Sequence, residues 1–297
     1  MAEFRQDQAE GLRRLLDRGH LRMTAVAAGC HGVGKTSVVV NVAAAFATRG
    51  QRVLVIDENY GPANASGMLG VRCRYDLQQV MRRSCSLEDA LVEGSPGVFI
   101  LSAPSSVRAL SSLGPLEQDR LIESFGRLDG RFDMALIDTP CGNAGTPGMF
   151  SRAVQDTIIV SSAAADAITA SYSLIKRMRD QQGGRRFYML LNRVASESNA
   201  RLVADNLRKA AHGYLATPLE YLGSVPRDEC LPQAERGYRA VVDASPAAPS
   251  ARGFRRIADL ISEWPQRGPR RDGMDSFDSL MQRLLSGSRF VFANAGV

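Results

Sequence analysis

The chain has 297 residues, 44% hydrophobic and 23% charged, with a formal net charge of +6 and a pI near 9.3. That composition is ordinary for a soluble globular protein and fits one α/β domain with appended ends better than two equal domains. No apolar run reaches the ~18 residues needed to span a bilayer, the first residues lack a signal-peptide core, and five scattered cysteines without a C-x-x-C pair argue for reduced thiols in the cytosol rather than a disulfide frame or a zinc site.

In chain order, the first predicted element is a short amphipathic helix over Asp7 to Leu16, with Leu12, Leu15 and Leu16 on one face. Two uses of that face stay open: packing on its own domain, or presentation to a partner. The apolar run Met23 to Ala28 then reads as a strand, and Ser37 to Phe46 as a helix. Between them lies Gly29-Cys30-His31-Gly32-Val33-Gly34-Lys35-Thr36, which has the G-x-x-x-x-G-K-[ST] spacing of a phosphate-binding loop. The three glycines let backbone N–H groups turn inward on phosphate oxygens. A helix opening at Lys35 adds its N-terminal dipole. The Lys35 ammonium is expected to reach the β- and γ-phosphates and the Thr36 hydroxyl to hold Mg²⁺.

Arg52 to Asp57 reads as a buried parallel strand ending in a carboxylate, followed by a loop from Asp57 to Asn64 at the strand edge where doubly wound sheets bind ligands. Leu77 to Arg83 and Leu87 to Glu93 read as short helices, and Val98 to Leu101 as a strand. Phe132 to Asp138 is a second apolar strand ending in aspartate, and Asp138 suits a Mg²⁺-holding role opposite the phosphate loop. Strands are expected at Thr157 to Ser161, Phe187 to Leu191 and Tyr221 to Val225, with helices at Ala164 to Arg179, Ala200 to His212 and Ser250 to Ile261. This alternation predicts an α/β doubly wound, mostly parallel sheet with helices on both faces.

From Trp264 the Pro, Gly and Arg content is that of a linker, placing a nucleotide-binding domain at 23–263, a linker at 264–273 and a terminal helix at 274–297. In that helix Phe277, Leu280, Met281, Leu284 and Leu285 form one apolar stripe. Docking on the protein's own surface and burial in a membrane interface, aided by Arg267, Arg270 and Arg271, both fit it.

The phosphate loop, the Asp57 loop and Asp138-Thr139-Pro140 together resemble the MinD/ParA family of deviant Walker A ATPases, most of all its flagellar-number branch, FlhG/FleN. Asp7-Gln8-Ala9-Glu10-Gly11-Leu12-Arg13 resembles the D-Q-A-x-x-L-R helix of that branch. Ile168 to Lys176 and Glu220 to Asp228 are similar to further family segments. The resemblance implies a MinD-like fold that binds ATP or ADP with Mg²⁺ through Gly29, Gly32, Val33, Gly34, Lys35, Thr36 and Ser37. It implies metal contacts from Thr36, Asp57 and Asp138, and an adenine site at Asn192, Arg193 and Pro226. It also implies an ATP-dependent homodimer and a C-terminal helix at the inner membrane. The expected partner is a signal-recognition-particle-type GTPase, FlhF, met by Asp7, Gln8, Leu12 and Arg13, with a flagellar transcription activator as a second one. No specific nucleic acid is expected, because the C-terminal stripe is apolar rather than basic.

Two positions depart from the family pattern. The loop's early lysine, which reaches across the dimer, is Cys30 here, and the second aspartate of the Asp57 loop, which orients the attacking water, is Asn59. A thiol supplies no fixed positive charge, and an amide cannot accept a proton. With Lys35, Asp57 and Asn59 as the candidate catalytic set, nucleotide binding is expected to survive while hydrolysis is slow and dimerisation weak. The alternatives are a nucleotide-stabilised adaptor without catalysis and a ParA-like DNA-binding protein.

Overall fold

The structure is a computed structural model that describes residues 21–61, 64–104, 110, 113–141, 148–181, 185–264 and 276–293, with side chains described as far as 285. The elements run β1 (Arg22–Ala27), α1 (Lys35–Ala47), β2 (Val53–Asp57), α2 (Ala65–Met68), α3 (Leu77–Met81), β3 (Leu91–Ser95) and β4 (Val98–Ser102). They continue with α4 (Pro115–Gly126), β5 (Met134–Asp138), α5 (Met149–Ala153), β6 (Asp156–Ser161), α6 (Ala165–Gln181), β7 (Arg186–Val194) and α7 (Glu197–Leu215). The last are β8 (Leu219–Pro226), α8 (Cys230–Arg236), α9 (Val241–Ala244), α10 (Pro249–Ser262) and α11 (Phe277–Ala293).

The strands form one eight-stranded sheet in the order β3-β4-β2-β5-β1-β6-β7-β8. All neighbours are parallel except β3 and β4. Each central strand alternates between two cores. Val53 and Val55 of β2 pack on the side of α1 and α10, whereas Leu54 and Ile56 face the side of α4, α5 and α11. Helix α1 is buried along Val38 to Phe46, so its sequence is apolar all round rather than striped. Its one buried amide is satisfied: Asn41 donates to Ser37 O and accepts from Val241 N–H. With β1 between β5 and β6, the loops leaving β1, β2, β5 and β7 converge at the carboxyl edge of the sheet, where the strand order switches direction.

One expectation needs correction. Leu87 to Glu93 is not a helix: Glu88–Ala90 is a 3₁₀ turn, and Leu91–Ser95 pairs antiparallel with β4. The turn between them passes through Gly97 at φ +80°, and Gly94 sits where a Cβ would lie 2.6 Å from Leu69 Cδ1, so packing selects a strand that helical spacing conceals. Trp264 packs on the domain: its indole stacks on Tyr188 at 3.9 Å, and Arg22 donates to its carbonyl.

Of the two uses open to the apolar stripe, the fold shows docking on the protein's own surface. Phe277, Leu280 and Met281 are fully buried, and Leu284 and Leu285 nearly so, because α11 lies on α4 and α5. The Phe277 ring meets those of Phe125 and Phe132 at 6.1 and 6.3 Å, and its N–H donates to Asp129 Oδ1. The stripe covers the domain's own second core and is not on the surface of this fold. Among the described residues no helix is long and apolar enough to cross a membrane.

Candidate functional site

Strand β1 delivers the chain to the glycine-rich loop, and α1 opens directly after it. Gly32 and Gly34 both hold φ near +83°, a left-handed conformation that turns successive N–H groups inward. Nothing lies within 4 Å of a Cβ placed on Gly32, so the loop's outer face is open. Gly29 is needed for a different reason: a Cβ there would sit 2.3 Å from the Ala170 backbone of α6. Val33 and Ser37 are buried, and Ser37 Oγ has no hydrogen-bond partner among the described residues.

Beneath the loop, Lys35 is almost fully buried and its ammonium forms an ion pair with Asp138 Oδ1. Thr36 donates its hydroxyl proton to the other oxygen, Asp138 Oδ2, at 2.7 Å. Lys35 Nζ also donates to Asn59 Oδ1 at 3.2 Å. Burial pushes the Asp138 carboxyl up to about 6, against the pull of Lys35 and with the push of Asp57.

Asp57 and Asp138 are register partners on neighbouring strands, yet Asp57 serves its own loop. Its Oδ1 accepts from the Asn59 backbone and side-chain N–H groups at 2.9 Å, and its Oδ2 from Ala65 N–H at 2.6 Å. Asn59 is the knot of this loop: its amide also donates to the Asp138 carbonyl at 3.1 Å. Asn59 therefore holds Asp57, Asp138 and Lys35 together.

On the opposite side, Asn192 Nδ2 donates to Val33 O at 2.9 Å, and Arg193 Nη1 donates to Gly32 O at 3.1 Å. Arg193 stands at φ 56°, its N–H held by Asn192 Oδ1. Pro226 lies at the adjoining end of β8, paired with Val194. The ends of β7 and β8 thus grip the loop by its carbonyls. Cys30, half-buried, has its thiol pKa pushed up by burial and by Asp166, the opposite of an activated thiolate. Asp7, Gln8, Leu12 and Arg13 lie outside the described residues.

Sequence reasoning missed Glu58. Its carboxylate is buried next to the site, accepts from Phe150 N–H at 2.7 Å through Oε1, and leaves Oε2 without a partner among the described residues. Burial raises its pKa to about 8. Gly148 permits the approach, since a Cβ there would lie 1.7 Å from Glu58 Oε2. The signal was available as a charged residue directly after a buried strand, but strand-end carboxylates usually point to solvent.

These residues fit a nucleotide with Mg²⁺. Thr36 hydroxyl and Asp138 carboxylate are hard oxygen donors beside one ammonium and an open nest of N–H groups. Among the described residues no group of three or more His, Cys, Asp or Glu could hold a metal ion by itself. An ion here needs phosphate oxygens to complete its shell, which is how Mg²⁺ is usually held.

The chain matches the CobQ/CobB/MinD/ParA nucleotide binding domain over residues 24–239. The antiactivator FleN of Pseudomonas aeruginosa is 32% identical over 269 residues, which are 90% of this chain and 96% of that protein. The flagellum site-determining protein YlxH of Helicobacter pylori is 24% identical over 274 residues, 91% of each chain. Among solved structures, the septum site-determining protein MinD complexed with Mg-ADP from Pyrococcus horikoshii is similar in fold, with TM-score 0.63 and 23% identity, covering 82% of this chain and 96% of that one.

Proposed function

We propose, for a chain that belongs to the CobQ/CobB/MinD/ParA nucleotide-binding family and to its FleN/FlhG branch, that it is an ATP- and ADP-binding regulator of flagellar number or placement. The observation that carries the nucleotide reading is the bundle of Lys35, Thr36 and Asp138 under a loop whose Gly32 and Gly34 are both left-handed. Lys35 would exchange Asp138 for the phosphates of a bound nucleotide, and Thr36 with Asp138 would hold the cation. Asn192 and Arg193 fix the loop and, with Pro226, border the adenine. Mg²⁺ supplies charge neutralisation on the phosphates.

Hydrolysis is slow in this reading. Asn59 has no proton-accepting group to offer a water, and its amide is already engaged with Asp57, Asp138 and Lys35. Cys30 supplies no cation across a dimer. The same two residues favour a second reading, a nucleotide-stabilised adaptor. In both, residues 1–22 act on an SRP-type GTPase, FlhF, and contact with the inner membrane through Phe277, Leu280, Met281, Leu284 and Leu285 requires α11 to leave α4 and α5.

The test combines ATP turnover by the full-length chain with GTP turnover by the cognate GTPase in its presence. Slow ATP turnover, with GTP hydrolysis stimulated by the wild type and not by Gln8→Ala, is expected. ATP turnover at a rate ordinary for the family removes the slow-hydrolysis claim, and equal GTP hydrolysis with and without the chain removes the partner claim.

A further inference from the structure

The second residue of the phosphate loop is a thiol, Cys30, and the third residue after Asp138 is another, Cys141. Their chain segments leave the sheet together. Val26 of β1 and Asp138 of β5 are register partners, and Thr139 N–H donates to Val26 O at 3.2 Å. The contact continues past the strand ends, where the Cys141 Sγ–H donates to the Ala28 carbonyl at 3.7 Å. Ala28 stands two residues before Cys30. Both thiols are free and half-buried. Adjacent strands run about 4.8 Å apart, inside the Cα separation of about 7 Å that a disulfide tolerates, and beyond the strand ends the Cys30 thiol is near enough to Cys141 to help raise its pKa.

We propose that Cys30 and Cys141 form a dithiol site for reversible oxidation, closing into an intramolecular disulfide across the mouth of the phosphate loop. The oxidant class is a small-molecule disulfide such as oxidised glutathione. The Cys30 thiolate, the less enclosed of the two, attacks one sulfur of that disulfide. A mixed disulfide forms and one small thiolate leaves. Cys141 loses its proton to solvent and attacks the Cys30 sulfur, forming the protein disulfide and releasing the second small thiol. Two protein thiols are oxidised and one small disulfide is reduced to two thiols.

Both thiols are held above the ordinary cysteine range by burial, Cys141 with a partial downward pull from Lys35. The pair is therefore mostly protonated at neutral pH and exchanges faster as pH rises. The disulfide would tie the loop's second residue to the exit of β5, narrowing the space between the loop and Asp138. That consequence for nucleotide uptake rests on the nucleotide reading above, whereas the disulfide itself does not.

The experiment equilibrates the full-length chain in glutathione buffers of stepped redox ratio, quenches with acid and maps cysteines by mass spectrometry. One Cys30–Cys141 cross-link is expected, absent in Cys30→Ser and in Cys141→Ser, with Cys73, Cys85 and Cys230 still open to alkylation. Oxidised protein is expected to bind Mg-ATP about tenfold more weakly or worse, with recovery on adding dithiothreitol. Cys30 and Cys141 recovered only as separate mixed disulfides or alkylated thiols would overturn the proposal. A cross-linked chain that binds Mg-ATP as well as the reduced one overturns its consequence for the site. A reduced chain that binds no nucleotide while the cross-link still forms counts against the function reading alone.

Discussion

Strands β2 and β5 lie side by side, each a five-residue buried run ending in aspartate, with Asp57 and Asp138 in register. Their carboxylates have different partners. Asp138 faces a cation and a hydroxyl from the start of α1, partners that a phosphate and a metal ion can replace. Asp57 accepts from the N–H groups of Asn59 and Ala65 in its own loop. On the proposed function the first is a ligand-exchangeable group, and the second's hydrogen bonds make it a strut. Position at a strand end does not distinguish them; the groups that meet each oxygen do.

The contrast can be broken most forcefully at Lys35. Lys35→Ala leaves Asp138 buried without its cation, at a cost of about 3–5 kcal/mol where the carboxyl is charged. Asp138 sits at about 6 with Lys35 pulling it down, so its carboxyl titrates higher still in the variant, and the cost in denaturant melts is expected to be larger at pH 8 and to shrink toward pH 5, where both chains hold the proton. A loss equal at both pH values would contradict the pairing. Next comes Asp57→Ala, which strands the Asn59 and Ala65 N–H donors and is expected to cost about 2–3 kcal/mol, measured by the same melts. If it costs nothing, Asp57 is not a strut.

Glu58 sharpens the contrast further, being a third carboxylate placed one residue past the strut. Its folded pKa of about 8 lies above the ordinary 4.5. The folded state then binds the proton more tightly, so the stability linked to Glu58 is fully present below pH 4.5 and lost as pH rises through 8. In thermal melts of the nucleotide-free chain, stability should fall between pH 5 and 8 with a slope approaching ~1.4 kcal/mol per pH unit and level off above pH 8, and Glu58→Gln should flatten the fall. An unchanged slope in that variant would assign the fall elsewhere. The smallest effect is expected from Asn59→Asp, which sets a carboxylate against Asp57 Oδ1 in place of an N–H donor and costs about 1 kcal/mol.

The phosphate loop was legible because its chemistry fixes both residue types and spacing, and the structure brings Lys35 and Thr36 onto Asp138 beneath Gly32 and Gly34. The parallel strands were legible because burial on both faces leaves continuous apolar runs such as Val53 to Ile56. Strand β3 was not, because Leu91 to Ser95 gains its identity from pairing with β4 across a tight turn. The stripe of α11 announced an apolar face but not its occupant, which the rings of Phe125 and Phe132 supply. Glu58 escaped notice because its burial depends on Gly148, distant in sequence and without a side chain to exclude it.

The central claim is that Lys35, Thr36 and Asp138 form an exchangeable phosphate and metal site while Asp57 holds the loop in shape. Calorimetric titration with ADP, with and without Mg²⁺, of the wild type, Asp138→Asn and Asp57→Asn tests it most directly. Tighter binding in the presence of Mg²⁺ is expected for the wild type and for folded Asp57→Asn, and no Mg²⁺ effect for Asp138→Asn. No heat of binding from the wild type, or a Mg²⁺ effect lost with Asp57 and kept without Asp138, would contradict it.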